Sequence, residues 1–263
     1  GNELRQRVSD LTPSREVPFV SLTSSPGLTP QRATGATPGS ATDPDRTQLV
    51  METSSSPSRS AQMMADEALV PDDFRELPRE KRLAKGVNTV PLVRLLRSHK
   101  NSWSDEGVSD GAKELLTTRQ LPGSWYPIEA FEEILKLVHE SMFGGSVDAA
   151  INMGIMGGTE AFTGVYKNLV VPGEPRRSMA RYGRMWERYF NFGAVGVLPV
   201  EGGTELIMHG YPDMSLCHAG IIIGYALALL KVAGAHRRRH EIKDAPWLGG
   251  GALRVLLKYG APT

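Results

Sequence analysis

The chain can only begin to fold near Asp72, because its composition changes there. Eight of its 18 prolines precede that residue, and from Thr12 to Ser60 apolar residues recur at neither helical nor strand spacing. A segment so poor in apolar residues cannot offset its ordering entropy. Residues 1–72 are therefore expected to be a disordered Ser/Thr/Pro/Gly-rich tail, and 73–263 a single domain. The roughly 190 residues that remain suffice for one ordinary hydrophobic core. The pairs Thr12-Pro13, Ser25-Pro26, Thr29-Pro30, Thr37-Pro38 and Ser56-Pro57 read either as sites for a proline-directed kinase or as parts of a plain spacer to an upstream domain.

Bulk charge excludes one function class. A net charge of +1 and a pI near 8.0 rule out a chain that coats nucleic acid along its whole length, so any such binding must be regional. Cys217 is the sole cysteine, which rules out an intramolecular disulfide framework and fits a reducing cytoplasm. The first residues, Gly1 to Gln6, lack the apolar core of a signal peptide, and Arg5 stands where a myristoylation pattern wants Ser or Thr. The longest apolar stretch, Leu216 to Ala235, is interrupted by His218, Gly220, Gly224 and Lys231 and reads as a buried helix, so no membrane span is expected.

Patterning predicts helices first and strands later. Lys85 to Val90 reads as an opening strand or turn, followed by a helix through Leu92, Val93, Leu95 and Leu96. Trp103 to Gly111 reads as a polar loop and Ala112 to Thr118 as a short helix. Tyr126-Pro127 is expected to open the next helix, with Pro127 in its first turn; Ile128, Phe131, Ile134, Leu135 and Val138 share one face, and Gly144-Gly145 ends it. Ser146 should cap a helix whose stripe, Val147, Ala150, Ile151, Gly154, Ile155 and Gly158, invites close packing. A third long helix is expected from Pro175 to Tyr189 or Phe190. Strands at Ala194 to Val200 and Thr204 to His209 form a hairpin through Glu201-Gly202-Gly203, a buried helix spans Ser215 to Ala233, and a second strand pair spans His236 to Ile242 and Ala252 to Tyr259. The expected class is α+β: a helical N-terminal half packed on a small antiparallel sheet of order β-β-α-β-β.

Candidate chemistry is sparse. Arg177, Arg181, Arg184 and Arg188 recur at spacings of four, three and four, placing four guanidinium groups on one helical face. Such a face can clamp phosphate, nucleic acid or an acidic partner; it can equally be a solvated outer face. His236 to His240 is the densest basic run. Arg237 and Arg239 in it could bind anions, or could protect a sheet edge against aggregation. Cys217 beside His218 admits a thiolate-imidazole pair, the basis of a remote reading as a Cys-dependent enzyme, although adjacent helical residues do not face each other and a core cysteine explains it as well. No histidine pair has zinc-ligand spacing on a helix, and the glycine runs at Gly154 to Gly158 and Gly249 to Gly251 lack dinucleotide-binding or P-loop spacing. No catalytic residue, nucleotide or metal is assigned.

Lys85-Gly86, the Tyr126-Pro127 helix start, the helix around Gly154, and the path from Gly193 through Tyr211-Pro212 to Gly220 and Gly234 together resemble a domain family of unknown function largely confined to myxobacteria. The likeness spans about Ala84 to Tyr259. More distantly, the order of elements is similar to the superfamily of haem-nitric-oxide-binding domains, vinyl-4-reductase sensor domains and vesicle-tethering TRAPP subunits. That resemblance implies a module holding a small apolar ligand or a partner protein between helices and sheet. Gly154, Trp186, Tyr189 and Cys217 are the expected lining. The haem superfamily's Tyr-x-Ser-x-Arg signature is missing and only one cysteine is present, so neither haem nor metal is carried over. The expected function is a cytoplasmic, non-enzymatic ligand-sensing or protein-interaction module in signalling; the alternative is an anion or nucleic-acid binder using the arginine face.

Overall fold

A computed structural model describes residues 76–260, so the tail expected at 1–72 and its Ser/Thr-Pro sites lie outside the described residues. The described part is α+β. Leu83–Lys85 (β1) leads into Gly86–Ser98 (α1), Asp110–Thr117 (α2), Trp125–Pro127 (β2), Ile128–Phe143 (α3) and Val147–Thr163 (α4). Pro175–Gly183 (α5), Ala194–Val200 (β3), Gly203–His209 (β4), Leu216–Val232 (α6), His236–Asp244 (β5) and Leu253–Gly260 (β6) complete it. β3, β4, β6 and β5 lie in that order in one antiparallel sheet, which is the expected β-β-α-β-β arrangement.

Local chemistry fixes most boundaries. Ser109, Ser146 and Ser215 cap α2, α4 and α6 by accepting hydrogen bonds from Ala112 N, Ala149 N and His218 N. Gly144, at φ +77°, ends α3 in the left-handed conformation that glycine adopts without steric cost. The β3–β4 hairpin turns through Glu201-Gly202, with Val200 opposite Gly203 and Gly202 at φ +70°.

Three expectations need correction. Lys85 to Val90 is only briefly extended: β1 ends at Lys85 and α1 already begins at Gly86. Tyr126-Pro127 ends a strand that pairs antiparallel with β1, Leu83 opposite Pro127; with ψ at 135°, Pro127 stands just outside the helix, which starts at Ile128. The third long helix is short. It ends at Gly183, and Trp186–Arg188 form a separate 3-10 turn. The cause is a close approach: a Cβ on Gly183 would stand 2.9 Å from the Val195 carbonyl oxygen, so α5 runs against the edge strand β3 and cannot continue past it.

The core has two parts. Val195, Val197, Leu206, Met208, Val255 and Leu257 line one face of the sheet and share a buried cluster with α6 and with Phe131, Leu135, Ile151 and Phe162. Val93, Leu96, Leu115, Ile134 and Val138 form a second cluster among α1, α2 and α3. α4 and α6 cross at their glycines: a Cβ on Gly154 would come within 2.9 Å of Gly224 Cα, and one on Gly158 within 2.9 Å of Ala228 Cβ. The narrow stripe therefore serves backbone contact. Among the described residues no helix is long and apolar enough to cross a membrane.

Candidate functional site

Beneath the β4–α6 connection lies a buried polar cluster. Glu132 falls four residues after Ile128 on the inward stripe of α3, so the helix delivers its carboxylate into the core. His218, in the first turn of α6, donates from Nδ1 to Glu132 Oε1 at 2.8 Å; the His218 and Glu132 side chains are only 5% and 13% exposed. The Tyr211 hydroxyl donates to the same oxygen and the Ser215 hydroxyl to Oε2. Burial alone would raise the Glu132 pKa, but the charge of His218 and the hydrogen bonds from His218, Ser215 and Tyr211 outweigh it and hold the carboxyl below its usual range. Burial, with Glu132 alongside, raises the Tyr211 hydroxyl well above its ordinary pKa.

A second layer joins this cluster to the N-terminal strand. Asp213, two residues after Tyr211, pairs with Arg82 and, at 3.2 Å, with Arg79, which also meets Glu129 at 3.0 Å. Arg82 is buried, donates from Nε to Leu77 O at 2.7 Å and lies 5.5 Å from the centre of the Phe192 ring. The Tyr211 and Ser215 hydroxyls, His218 Nδ1, Arg79 Nε and Arg82 Nε and Nη1 each meet a carboxylate or carbonyl, contacts that fasten helix α3 and the residues leading into strand β1 to the β4–α6 connection.

The expected lining residues occupy different places. Trp186 is buried, stacked on Phe190 at 3.9 Å, and donates from Nε1 to the Phe192 carbonyl at 2.6 Å. Gly154 sits in the α4–α6 crossing. Tyr189 is half-buried, with its ring edge-on to Tyr166 at 6.0 Å. Cys217 is buried with Sγ 4.0 Å from the Leu135 carbonyl, and burial, with Glu132 and Glu140 nearby, pushes its thiol up to about 12. At that value the thiolate is scarce at neutral pH.

The arginine face is divided by the end of α5. Arg177, Arg181 and Arg184, with Ala180 between them, border a shallow depression of about 120 Å³. Arg188 lies beyond it in the 3-10 turn, which corrects the expected four-arginine helical face. Arg177 is 3.5 Å from Glu174, and Arg181 donates to the Asn168 carbonyl at 2.9 Å, which fixes the direction of its guanidinium. The volume is well below the ~300 Å³ at which ordinary small-molecule pockets begin, so it suits a phosphate or carboxylate group and not a whole nucleotide. Arg237 and Arg239 are exposed on β5, the opposite edge of the sheet from the strand that α5 abuts.

No family model matches the chain, and no curated protein matches it in sequence, so the resemblance to a myxobacterial domain family finds no support there. Among solved structures, the crystal structure of an Fe(II), unliganded H-NOX protein mutant from K. algicida is similar to it, with 10% identity and a TM-score of 0.44, covering 67% of this chain and 96% of that one. No residue of that protein is carried over. The residues present do not fit a haem at His218: its Nδ1 is bonded to Glu132, and the rings of Phe131, Phe190, Tyr211 and Trp186 stand 5.3, 5.4, 5.6 and 5.9 Å from it. Among the described residues no group of three His, Cys, Asp or Glu is placed to hold a metal ion.

Sequence reasoning missed Glu132, Tyr211 and Ser215 as one cluster. The signal was a glutamate inside the apolar stripe of α3, where a charge must find partners or be neutralised.

Proposed function

We propose that the chain is a non-enzymatic cytoplasmic interaction module that recognises an acidic or phosphorylated segment of a partner protein. The observation that carries this reading is the convergence of Arg177, Arg181 and Arg184 on one depression of phosphate or carboxylate size. Arg181, tethered to Asn168 O, meets a ligand without first losing much side-chain freedom.

Isothermal titration of the full chain with a short phosphoserine peptide, at two salt concentrations, tests the reading. Binding should weaken with salt and fall by roughly tenfold in an Arg177→Ala/Arg184→Ala variant, since each charge-assisted contact contributes about 1.5–3 kcal/mol at most before solvent screening. Absent or salt-independent binding sinks it. Tighter binding of duplex DNA than of the peptide would return the site to the nucleic-acid alternative.

A further inference from the structure

Ser56-Pro57 is the last of the five Ser/Thr-Pro pairs and falls twenty residues before Glu76, the first described residue. The fold brings the entry of the domain close to the arginine depression. Lys85 N donates to Tyr189 O at 2.8 Å and Leu83 N to Asn191 Oδ1 at 2.7 Å, so β1 is bonded to the segment that follows α5. Arg184 stands five residues before Tyr189, and Glu76 nine before Lys85. At no more than about 3.6 Å per residue, the path from Glu76 through the Lys85–Tyr189 bond to Arg184 is under about 55 Å, whereas the twenty residues after Ser56 can span up to about 70 Å. Ser56 can therefore reach the depression within its own chain.

Charge selects this pair among the five. Residues 50–75 carry five acidic and two basic side chains, a formal −3, while residues 1–49, which hold the other four pairs, carry five of each. The described residues, 76–260, carry 23 basic and 19 acidic side chains, a formal +4 that attracts the segment around Ser56 and not the earlier one. Arg177 and Arg184 are exposed and Arg181 is half-buried, so the guanidinium groups can be approached from solvent. A carboxylate offers them two acceptor oxygens; a phosphoserine offers three, with a charge of about −1.5 to −2. The contact of Arg177 with Glu174 is an exposed ion pair and competes only weakly with a phosphate.

We propose that phosphorylated Ser56 docks in the depression bordered by Arg177, Arg181 and Arg184 of the same chain and closes it to a partner. The inference rests on the reading of that depression as a phosphate site and adds its regulation. The phosphate comes from ATP: a proline-directed kinase joins the γ-phosphorus to Ser56 Oγ, the bond to the β-phosphate breaks, ADP leaves and the hydroxyl proton passes to solvent.

The test uses the full chain with phosphoserine installed at position 56 during translation, and follows release of the phosphate by a broad-specificity phosphatase. A docked phosphate is withheld from that enzyme. At the roughly millimolar effective concentration that linkage within one chain supplies, the parent chain should lose its phosphate at least roughly threefold more slowly than an Arg177→Ala/Arg184→Ala variant. High salt should abolish the difference, a check that does not depend on the variant folding, and Arg237→Ala/Arg239→Ala should leave the protection intact. Equal release from the parent and the α5 variant overturns the proposal, as does protection that survives high salt, or that disappears in the edge-strand variant. Protection that grows with chain concentration would mean docking between copies and overturns it too. Isothermal titration with the phosphoserine peptide separates this inference from the reading it rests on: the unphosphorylated chain should bind the peptide at least roughly threefold more tightly than the phosphorylated chain. Equal peptide binding by both forms, with no protection, sinks the docking and leaves the partner reading standing; protection without peptide binding upholds the docking and removes the partner.

Discussion

Glu132 and His218 lie 86 residues apart in sequence and 2.8 Å apart in the fold, and their contact ties helix α3 to the start of helix α6. A buried carboxylate that loses a partner, or an imidazole that loses its carboxylate, is left uncompensated where water cannot reach it. Removing one member of such a pair typically costs about 3–5 kcal/mol. Glu132→Ala should therefore lower stability by about that much, and Glu132→Gln by about 1–3 kcal/mol because the amide keeps the volume and one acceptor. The joint replacement Glu132→Leu/His218→Leu should cost less than the sum of its single changes, since it removes both polar groups together. Urea unfolding midpoints check all three; additive costs would mean that the pair is not coupled.

The same groups set the pH range of stability. The Glu132 pKa is lower in the fold than its ordinary 4.5, so this contribution is fully present above that value and is lost as pH falls through the lowered one. Burial, with Arg254 beside it, also lowers the His209 pKa below 6.5, so stability should already begin to decline as pH drops below 6.5. Tyr211 acts at the other end: its raised pKa means stability is intact below 10 and declines only as pH rises through the higher folded value. Because burial also raises the Cys217 thiol from its ordinary 9.0 to about 12, thermal melts should show a plateau between about pH 7 and 9, a first acid loss reduced in His209→Asn, and a second acid loss absent in Glu132→Gln.

Glycines at the α4–α6 crossing make a contrary prediction to helix propensity. Alanine in place of a mid-helix glycine ordinarily gains about 1 kcal/mol. At Gly224, however, a Cβ would stand 2.7 Å from both Gly154 Cα and Ile155 N, and backbone cannot yield as a side chain can. Gly224→Ala and Gly154→Ala should each destabilise by about 1–3 kcal/mol. Gly157→Ala is the control, because its nearest neighbour at 3.0 Å is the Tyr225 hydroxyl, the far end of a side chain. If all three variants melt alike, the crossing is looser than its geometry indicates.

What the sequence disclosed was local, and what it hid was not. Ser146 as a cap, Gly144 as a stop and Glu201-Gly202-Gly203 as a turn depend on residues within four positions, so the start of α4, the end of α3 and the β3–β4 hairpin were legible. β2 was missed because its three residues are extended only through pairing with β1, forty to forty-four positions earlier. α5 was drawn too long because the approach of Gly183 to Val195 that ends it is a tertiary contact. Arg177 and Arg181 lie on α5 and Arg184 follows as its C-cap, while Arg188 stands in the separate 3-10 turn beyond that same early end. The Glu132 cluster was hidden for a similar reason. Its partners lie 79, 83 and 86 residues away, and no spacing rule connects them.

Arg237 stores backbone strain. Among the described residues it is the sole non-glycine at positive φ, +50°, and it lies where the β5–β6 register shifts between His236 and Arg239. For a residue with a Cβ that conformation costs about 1–2 kcal/mol. The Arg237 side chain is exposed, so replacing it removes little packing. Against the relief stands the extra chain entropy that glycine loses on folding, about 0.5–1 kcal/mol. Arg237→Gly should therefore raise stability by about 0.5–1 kcal/mol, and Arg237→Asn by less, because Asn tolerates the left-handed region only in part. Arg239→Gly, two positions on and paired with Lys258 in the ladder, should have the opposite sign. Thermal melts of the three variants decide the matter: equal destabilisation by both glycines would show that the bulge carries no strain.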